Sequence, residues 1–242
     1  FGLAYGTFLS VNVFFILLWI FRRSRKFLAS LAICVAGSGY FLSIYEPALL
    51  RAKAPDPSRY VQPLKVMTFN VRLFDLYNWF HNKETRDRIF NFLNKESPDI
   101  ICFQEYFSSD DPKSDFRCND TLPRILAAPY SQLRYTVTLN GTEHFGTATY
   151  SKYPILREGS VRFRSKTGNV FLFTDILVGE DTIRVFNTHL ESIRFRQEDY
   201  KFIQNLGNDE IDQDELVGGL NIMRKLKRAF LKRASQVEVI QD

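Results

Sequence analysis

A carboxylate at the end of an apolar strand is the first feature of this sequence that could do chemistry. Four apolar residues, Ile100–Phe103, are followed by Gln104 and Glu105. Such a run predicts a strand that is buried on both faces and delivers Glu105 to the edge of a sheet. A dry, unpaired carboxylate is costly, so Glu105 is expected to be exposed, paired with Arg or Lys, or bound to a cation. A carboxylate of this kind suits Mg²⁺, which keeps several waters and uses few protein ligands beside a substrate phosphate.

Two further apolar strands end in polar residues that suit metal and phosphate chemistry. Lys65–Val71 carries Asn70 near its end, and Ile183–Leu190 carries Asn187 and His189. Taken alone, an asparagine at a strand end also fits a turn, and a histidine also fits a partly buried, hydrogen-bonded position. The chain holds three histidines, and the other two lie in polar segments. His189 is therefore the histidine that the pattern favours.

The elements around these residues predict that Asn70 and Glu105 meet. A strand at Lys65–Val71, a helix around Thr85–Lys95 and a strand at Asp99–Glu105 form a β-α-β unit. The two strands of such a unit are parallel and its crossover is right-handed. Parallel strands bring their carboxyl ends to the same edge of a sheet, so both polar side chains are expected there.

The rest of the domain is predicted to form further strands and two more helices. The alternation of side chains in the last strand places Asn187 and His189 on the face that also carries Ile183 and Val185. The predicted elements are a polar loop at Ser108–Asp120, helices near Leu122–Ala127 and Leu220–Val239, strands near Leu133–Leu139 and Thr147–Ser151, and a hairpin of Asn169–Val178 and Thr182–Leu190.

The first 45 residues differ in composition from the rest of the chain. Residues 1–21 and 27–45 carry no charged residue, and each run is close to the roughly 20 residues that cross a bilayer as a helix. They predict two transmembrane helices; a pair of buried core helices, or a signal peptide followed by a helix, are the alternatives. Residues 22–26 contain four cations, which favours a cytoplasmic loop and places everything after Glu46 outside the cytoplasm.

Charge and composition divide the chain and exclude some functions. Residues 1–45 read as a multi-pass membrane anchor, residues 46–63 with their four prolines as a linker, and residues 64–242 as one domain. Without the anchor's four cations, 28 Lys and Arg face 27 Asp and Glu, which argues against strong nonspecific binding to a polyanion. The three cysteines show no CxxC spacing and predict neither a zinc site nor a redox pair.

Four segments in this order resemble the successive motifs of the endonuclease/exonuclease/phosphatase superfamily. They are Thr68–Val71, Asp99–Glu105, Gly146–Ile155 and Asn187–Leu190. The superfamily includes deoxyribonuclease-like nucleases, apurinic endonucleases, neutral sphingomyelinases and inositol-polyphosphate phosphatases, and the resemblance covers roughly residues 64–240. It implies an α/β fold, a four-layer sandwich of two packed mixed sheets flanked by helices, and Mg²⁺-dependent phosphoester hydrolysis, with Mn²⁺ as a possible substitute.

The resemblance also implies roles for individual residues. Glu105 matches the metal-binding glutamate, and Asn70 matches the asparagine beside the metal and the scissile phosphate, so these two are the candidate metal ligands. His189 matches the histidine that contacts the phosphate. A metal and nearby hydrogen-bond donors would stabilise the charge that develops at phosphorus. The candidate substrate contacts are Asn187, Arg194 and Arg196, of which the two arginines directly follow the histidine strand.

Two motifs of the superfamily are absent from this sequence. Gly-Asp-x-Asn, whose aspartate orients or deprotonates the attacking water, and a terminal Ser-Asp-His do not occur. The helix that ends near Val239 resembles the one that precedes the first of them. We therefore expect a fold that is incomplete at its C-terminus and little or no catalysis by this chain alone. Because the sequence begins with Phe1 rather than Met, we also expect it to be a fragment or a processed product.

Two functions remain open from the sequence. The first is a membrane-anchored, extracytoplasmic Mg²⁺-dependent phosphoesterase, acting on a phospholipid head group, nucleic acid or a small phosphoester; no protein partner is inferred. The alternative is a membrane-tethered binding or scaffolding module that retained the fold and lost the chemistry. Basic residues of the last helix, among them Arg228 and Arg233, would fit an anionic surface or a solvated helix face.

Overall fold

The chain divides into two compact units, residues 1–62 and residues 63–242. The computed structural model describes residues 5–44, 63–163, 169–193, 195, 197–205 and 213–241. The predicted linker lies almost entirely outside these residues.

The first unit contains helices α1 (Tyr5–Phe21) and α2 (Phe27–Ile44). The Tyr5 hydroxyl donates a hydrogen bond to the Gly37 carbonyl over 2.8 Å, which joins the two helices. The prediction of two transmembrane helices is not supported, because no helix in the described ranges is long and apolar enough to span a bilayer.

The second unit is an α/β domain. Its strands are β1 (Val66–Asn70), β2 (Ile100–Ser109), β3 (Tyr130–Leu139), β4 (Glu143–Ser151), β5 (Ile155–Arg162), β6 (Val170–Val178) and β7 (Asp181–Thr188). Its helices are α3 (Thr85–Glu96), α4 (Cys118–Ile125), α5 (Gln197–Asn205) and α6 (Gln213–Gln241).

Seven strands of the described residues form two sheets. The first has the order β1-β2-β4-β3 and is mixed, and the second has the order β5-β6-β7. β1 pairs with β2 in parallel, with Asn70 opposite Gln104, so the predicted β-α-β unit is confirmed. The predicted hairpin is confirmed as β6 and β7. The α/β architecture with two sheets is as expected, but the second sheet is antiparallel throughout rather than mixed.

The two faces of β2 have different neighbours. Ile101 and Phe103 lie in the hydrophobic core that the first sheet forms with α3 and α4. Cys102 and Gln104 are also buried, and Gln104 reaches β7 of the second sheet through Asn187. β2 is thus buried on both faces, as its apolar run predicts.

A turn with left-handed backbone follows β1. Arg72, Leu73, Phe74 and Asp75 have φ values of 45, 54, 55 and 61°, a conformation that costs about 1–2 kcal/mol for each such residue. The ring of Phe74 is fully buried and meets the rings of Phe90, Phe103 and Tyr106 at centroid distances of 5.7, 6.1 and 5.8 Å. Burial of this ring offsets the strain of the turn. The segment contains no glycine, so its sequence does not predict a left-handed turn.

Several element boundaries differ from the predicted ones. β2 continues to Ser109 because its far end pairs with β4 and buries Ser108 and Ser109, so the predicted loop at Ser108–Asp120 was wrong at both ends. α4 begins at Cys118 rather than near Leu122. β5 and α5 carry weak periodicity and were not predicted.

Two ion pairs that share Asp175 link the three strands of the second sheet. Asp175 of β6 accepts hydrogen bonds from Arg184 of β7 (Nε to Oδ1, 2.6 Å) and Arg157 of β5 (Nε to Oδ2, 2.8 Å). These hydrogen bonds, that of Arg184 first, hold the pKa of the Asp175 carboxyl well below its usual range, although burial opposes them. The two ion pairs therefore stabilise the folded state when Asp175 is ionised.

We predict that Phe74→Ala destabilises the second unit by about 3–5 kcal/mol, because the cavity and the lost ring contacts leave the left-handed turn without its anchor. Urea unfolding followed by circular dichroism would measure this loss. Phe92→Ala is the matched control, since Phe92 is 44% exposed. Equal losses for the two variants would contradict the anchoring role.

We predict that Asp175→Asn weakens the acid dependence of stability. The folded pKa of Asp175 is depressed, so its stabilisation is complete above the unfolded pKa of about 4 and is lost as the pH falls below it. Urea unfolding at pH values between about 2 and 6 should show a shallower acid limb for Asp175→Asn than for wild type. Asp181 is an exposed residue of the same hairpin, so Asp181→Asn should show the same dependence of stability on pH as wild type. The same dependence in Asp175→Asn would refute the prediction.

Candidate metal and phosphate site

Three residues that the sequence singles out meet: Asn70 ends β1, His189 directly follows β7, and Glu105 lies at a bulge within β2 rather than at its predicted end. Asn70 Nδ2 donates to Glu105 Oε1 over 3.0 Å, and His189 Nε2 lies 3.6 Å from the same oxygen. β1 and β2 deliver Asn70 and Glu105 from the first sheet, and the chain leaving β7 delivers His189 from the second. Side chains far apart in sequence therefore converge on a single carboxylate oxygen.

A bulge in β2 places Glu105 at this point. The pairing of β2 with β4 shifts register between Phe103 and Tyr106, and Glu105 has a φ of 49°. A bulge inserts an extra residue and bends the strand locally. A residue held in this conformation costs about 1–3 kcal/mol, and such strain concentrates at functional positions.

Asn187 joins the two sheets directly behind the site. Its side chain is buried, at 1% exposure, and its Oδ1 accepts a hydrogen bond of 2.8 Å from Gln104 Nε2. Its Nδ2 donates to the Ala148 carbonyl over 2.9 Å and to Thr149 Oγ1 over 3.1 Å. Gln104 Nε2 also donates to Thr68 Oγ1 of β1 over 3.1 Å. The geometry therefore does not support the predicted substrate contact by Asn187; this side chain positions its neighbours instead.

The position of His189 follows from that of Asn187. Asn187 is fixed in β7 by bonds to the first sheet, and His189 comes two residues later, just past the strand end. The His189 side chain is 26% exposed and that of Glu105 is 36% exposed. Both groups can therefore reach a ligand from solvent while the inter-sheet bonds hold their backbones.

The three residues line an open cleft of about 440 Å³. The other walls come from the chain after β7 and from α5 and α6, and they include Ser192, Phe195, Tyr200 and Arg233. Arg233 Nε donates to the Glu191 carbonyl over 2.7 Å, which ties α6 to the segment after His189. The predicted substrate contacts Arg194 and Arg196 lie outside the described residues.

The ligand set fits a cation that keeps most of its waters. Within the described ranges no group of three or more His, Cys, Asp or Glu side chains gathers around one point. Nor does any Lys or Arg described here pair with Glu105, whose neighbours are Asn70 and His189. One accessible carboxylate is sufficient for Mg²⁺, which needs one or two together with water and phosphate oxygens.

Both ends of the Asn70 amide are hydrogen-bonded within the protein. Its Oδ1 accepts the Arg72 backbone N–H over 3.0 Å, and its Nδ2 faces Glu105. These bonds hold the Asn70 amide against the Glu105 carboxylate, and the role of Asn70 as a second metal ligand, which the resemblance implies, stays a prediction. Glu105 is the residue whose chemistry and exposure fit a metal ligand.

The chain belongs to the endonuclease/exonuclease/phosphatase family. The model of that family matches residues 67–217, which confirms the resemblance seen in the motifs. A second model, for a domain of unknown function (DUF8431), matches residues 1–44. No curated protein matches the chain.

The solved structures that this chain resembles share little sequence with it. A family protein from Leptotrichia buccalis is 15% identical, with a TM-score of 0.40, over 67% of this chain and 74% of its own. An endonuclease/exonuclease/phosphatase from Beutenbergia cavernae is 19% identical, with a TM-score of 0.41, over 62% and 44%. Truncated TDP2 from Caenorhabditis elegans is 17% identical, with a TM-score of 0.39, over 58% and 52%. The chain thus spans only about half the length of the second and third, and likenesses this weak carry no detail of function.

We predict that Asn187→Leu lowers the free energy of unfolding by about 2–4 kcal/mol. The leucine has a similar size but removes the three bonds that the Asn187 amide makes to Gln104, Ala148 and Thr149, and each lost hydrogen bond costs about 0.5–1.5 kcal/mol. Urea unfolding measures the change. Asn221→Leu, on an exposed face of α6, should stay within about 0.5 kcal/mol of wild type; a loss as small at Asn187 would contradict its bridging role.

Proposed function

We propose that residues 63–242 belong to a metal-dependent phosphoesterase, with Mg²⁺ or Mn²⁺ held by Glu105 and hydrolysis of a phosphate ester at the cleft. The observation that carries this proposal is the convergence of Asn70 and His189 on Glu105 Oε1, at 3.0 and 3.6 Å. Membership of the family supports it, because its enzymes are in general hydrolases that act on phosphoesters.

The residues of the chain have separable tasks in this proposal. A metal ion at Glu105 supplies positive charge that stabilises phosphate oxygens and the departing oxygen. Asn70 holds the Glu105 carboxylate through its amide hydrogen. His189, which is partly exposed beside that carboxylate, presents its Nε2 to a phosphate oxygen and stabilises the charge that develops there. Arg233, across the cleft on α6, adds a positive charge to the same space.

The substrate is proposed only as a class. The balance of charge in the second unit disfavours long polyanions that bind without specificity, which leaves small phosphoesters, phospholipid head groups and short nucleic-acid segments. The position of the domain relative to a membrane stays a prediction of the sequence, and the chemistry at the cleft does not depend on it.

We predict that Glu105→Gln lowers the affinity for Mn²⁺ at least tenfold, because the amide keeps the shape of the side chain and removes its charge. Electron paramagnetic resonance of free Mn²⁺ during a titration measures the affinity. Glu158→Gln, an exposed glutamate of β5, is the control and should bind as wild type does. Loss of affinity in both variants, or in neither, would refute Glu105 as the metal ligand.

Turnover should be measured on the longest form of the protein that can be expressed from its gene. With Mg²⁺, hydrolysis of bis(4-nitrophenyl) phosphate or 4-nitrophenyl phosphate is expected, and His189→Ala should lower kcat about 100-fold or more. Phosphate binding that depends on Glu105 without any turnover would favour the second hypothesis, a binding module that retained the fold.

A further inference from the structure

An arginine without an ionic partner stands next to the proposed metal site. The backbone N–H of Arg72 donates to Asn70 Oδ1 over 3.0 Å, so its side chain starts beside a residue that contacts Glu105. Arg72 is exposed. Within the described part of the chain its guanidinium has neither a carboxylate partner nor a hydrogen bond, unlike Arg86, Arg88 and Arg117, which pair with nearby acids.

Two aromatic rings hold this guanidinium in place. Its Cζ lies 4.6 Å from the ring centroid of Trp79 and 5.2 Å from that of Phe80. Tyr77 packs edge-on against Trp79 at 5.1 Å. A guanidinium over an aromatic face keeps its N–H groups, which lie in its plane, free for a planar, forked contact with phosphate oxygens.

The left-handed turn fixes both the arginine and its aromatic support. Asp75 Oδ1 accepts the Trp79 backbone N–H over 2.8 Å, and the buried ring of Phe74 anchors the turn between them. Arg72 and Trp79 are therefore attached to the same rigid segment. An arginine that is held in advance loses less conformational entropy when it binds an anion.

We propose that Arg72 binds a second phosphate of the substrate, adjacent to the phosphate that Glu105 and His189 engage, so that the preferred substrates carry at least two phosphate groups. This inference rests on the proposed function, since it places the first phosphate at the cleft. Two sources share this chemistry: a compact polyphosphate, or consecutive phosphates along a short nucleic-acid chain.

The test compares ligands that carry one phosphate or two. Isothermal titration calorimetry with Mg²⁺ measures the affinities of the full chain for orthophosphate, pyrophosphate, and a dinucleotide with and without a 5′-phosphate. The chain contains two tryptophans, so the Trp19→Phe background reports Trp79 fluorescence alone. Wild type should bind pyrophosphate or the phosphorylated dinucleotide at least tenfold more tightly than its counterpart with one phosphate, and binding should change Trp79 emission.

Variants of Arg72 identify the contact. Arg72→Gln should weaken the ligand with two phosphates about tenfold or more and leave orthophosphate within about twofold, as expected for one charge-assisted contact. Arg72→Lys should restore part of the affinity, because it keeps the charge and loses the fork. Arg88→Gln, an exposed arginine paired with Glu84, should match wild type.

Each outcome decides the question. Dependence on Arg72 with pyrophosphate supports a compact polyphosphate, and dependence only with the phosphorylated dinucleotide supports a nucleic-acid chain. Equal weakening of orthophosphate and pyrophosphate, or no weakening at all, overturns the inference. If Glu105→Gln still removes Mg²⁺-dependent orthophosphate binding in that case, the proposed function survives. If wild type shows no Mg²⁺-dependent orthophosphate binding, or if Glu105→Gln keeps it, both fail.

Discussion

The hydrogen bond between Asn187 and Gln104 is the contact on which the site depends. It joins β7 of one sheet to β2 of the other over 2.8 Å, and each residue lies within two positions of a proposed functional group. Buried polar bonds of this kind fix register, because a slip of one residue in β7 would turn Asn187 away from the first sheet and carry His189 with it. An apolar contact at the same place would permit several registers and would not set the distance between His189 and Glu105.

Backbone strain on the first sheet is concentrated around Asn70. The bulge at Glu105 and the left-handed turn after β1 hold five non-glycine residues at positive φ, at a cost of about 1–2 kcal/mol each. The buried ring of Phe74, in the turn, packs against those of Phe103 and Tyr106, which flank the bulge. Their packing offsets the strain and keeps the carboxylate, the amide and the Arg72 backbone in one arrangement before any ligand arrives, which lowers the cost of ordering the site.

The sequence predicts the strands of this site better than the details that make it work. The apolar runs before Asn70 and His189 were sufficient to place these two residues at strand ends, because burial leaves a strong signal. Glu105 was also predicted at a strand end, but it lies at a bulge within β2. The bulge and the left-handed turn leave no such signal, since neither uses glycine and both depend on contacts between distant residues. The burial of Asn187 between the sheets was not predicted for a related reason: alternation along a strand does not tell whether a polar side chain faces solvent or a second sheet.

The central claim, that Glu105 binds a divalent cation beside a phosphate, is tested most directly by crystallography with Mn²⁺ and orthophosphate. Anomalous scattering locates manganese without reference to any assumed ligand. A peak about 2.0–2.3 Å from a Glu105 carboxylate oxygen, with a phosphate oxygen in the same coordination shell and within hydrogen-bonding distance of His189 Nε2, is the predicted result. A manganese peak elsewhere, or a Glu105 carboxylate engaged by a lysine or arginine with phosphate bound at a different place, would contradict it.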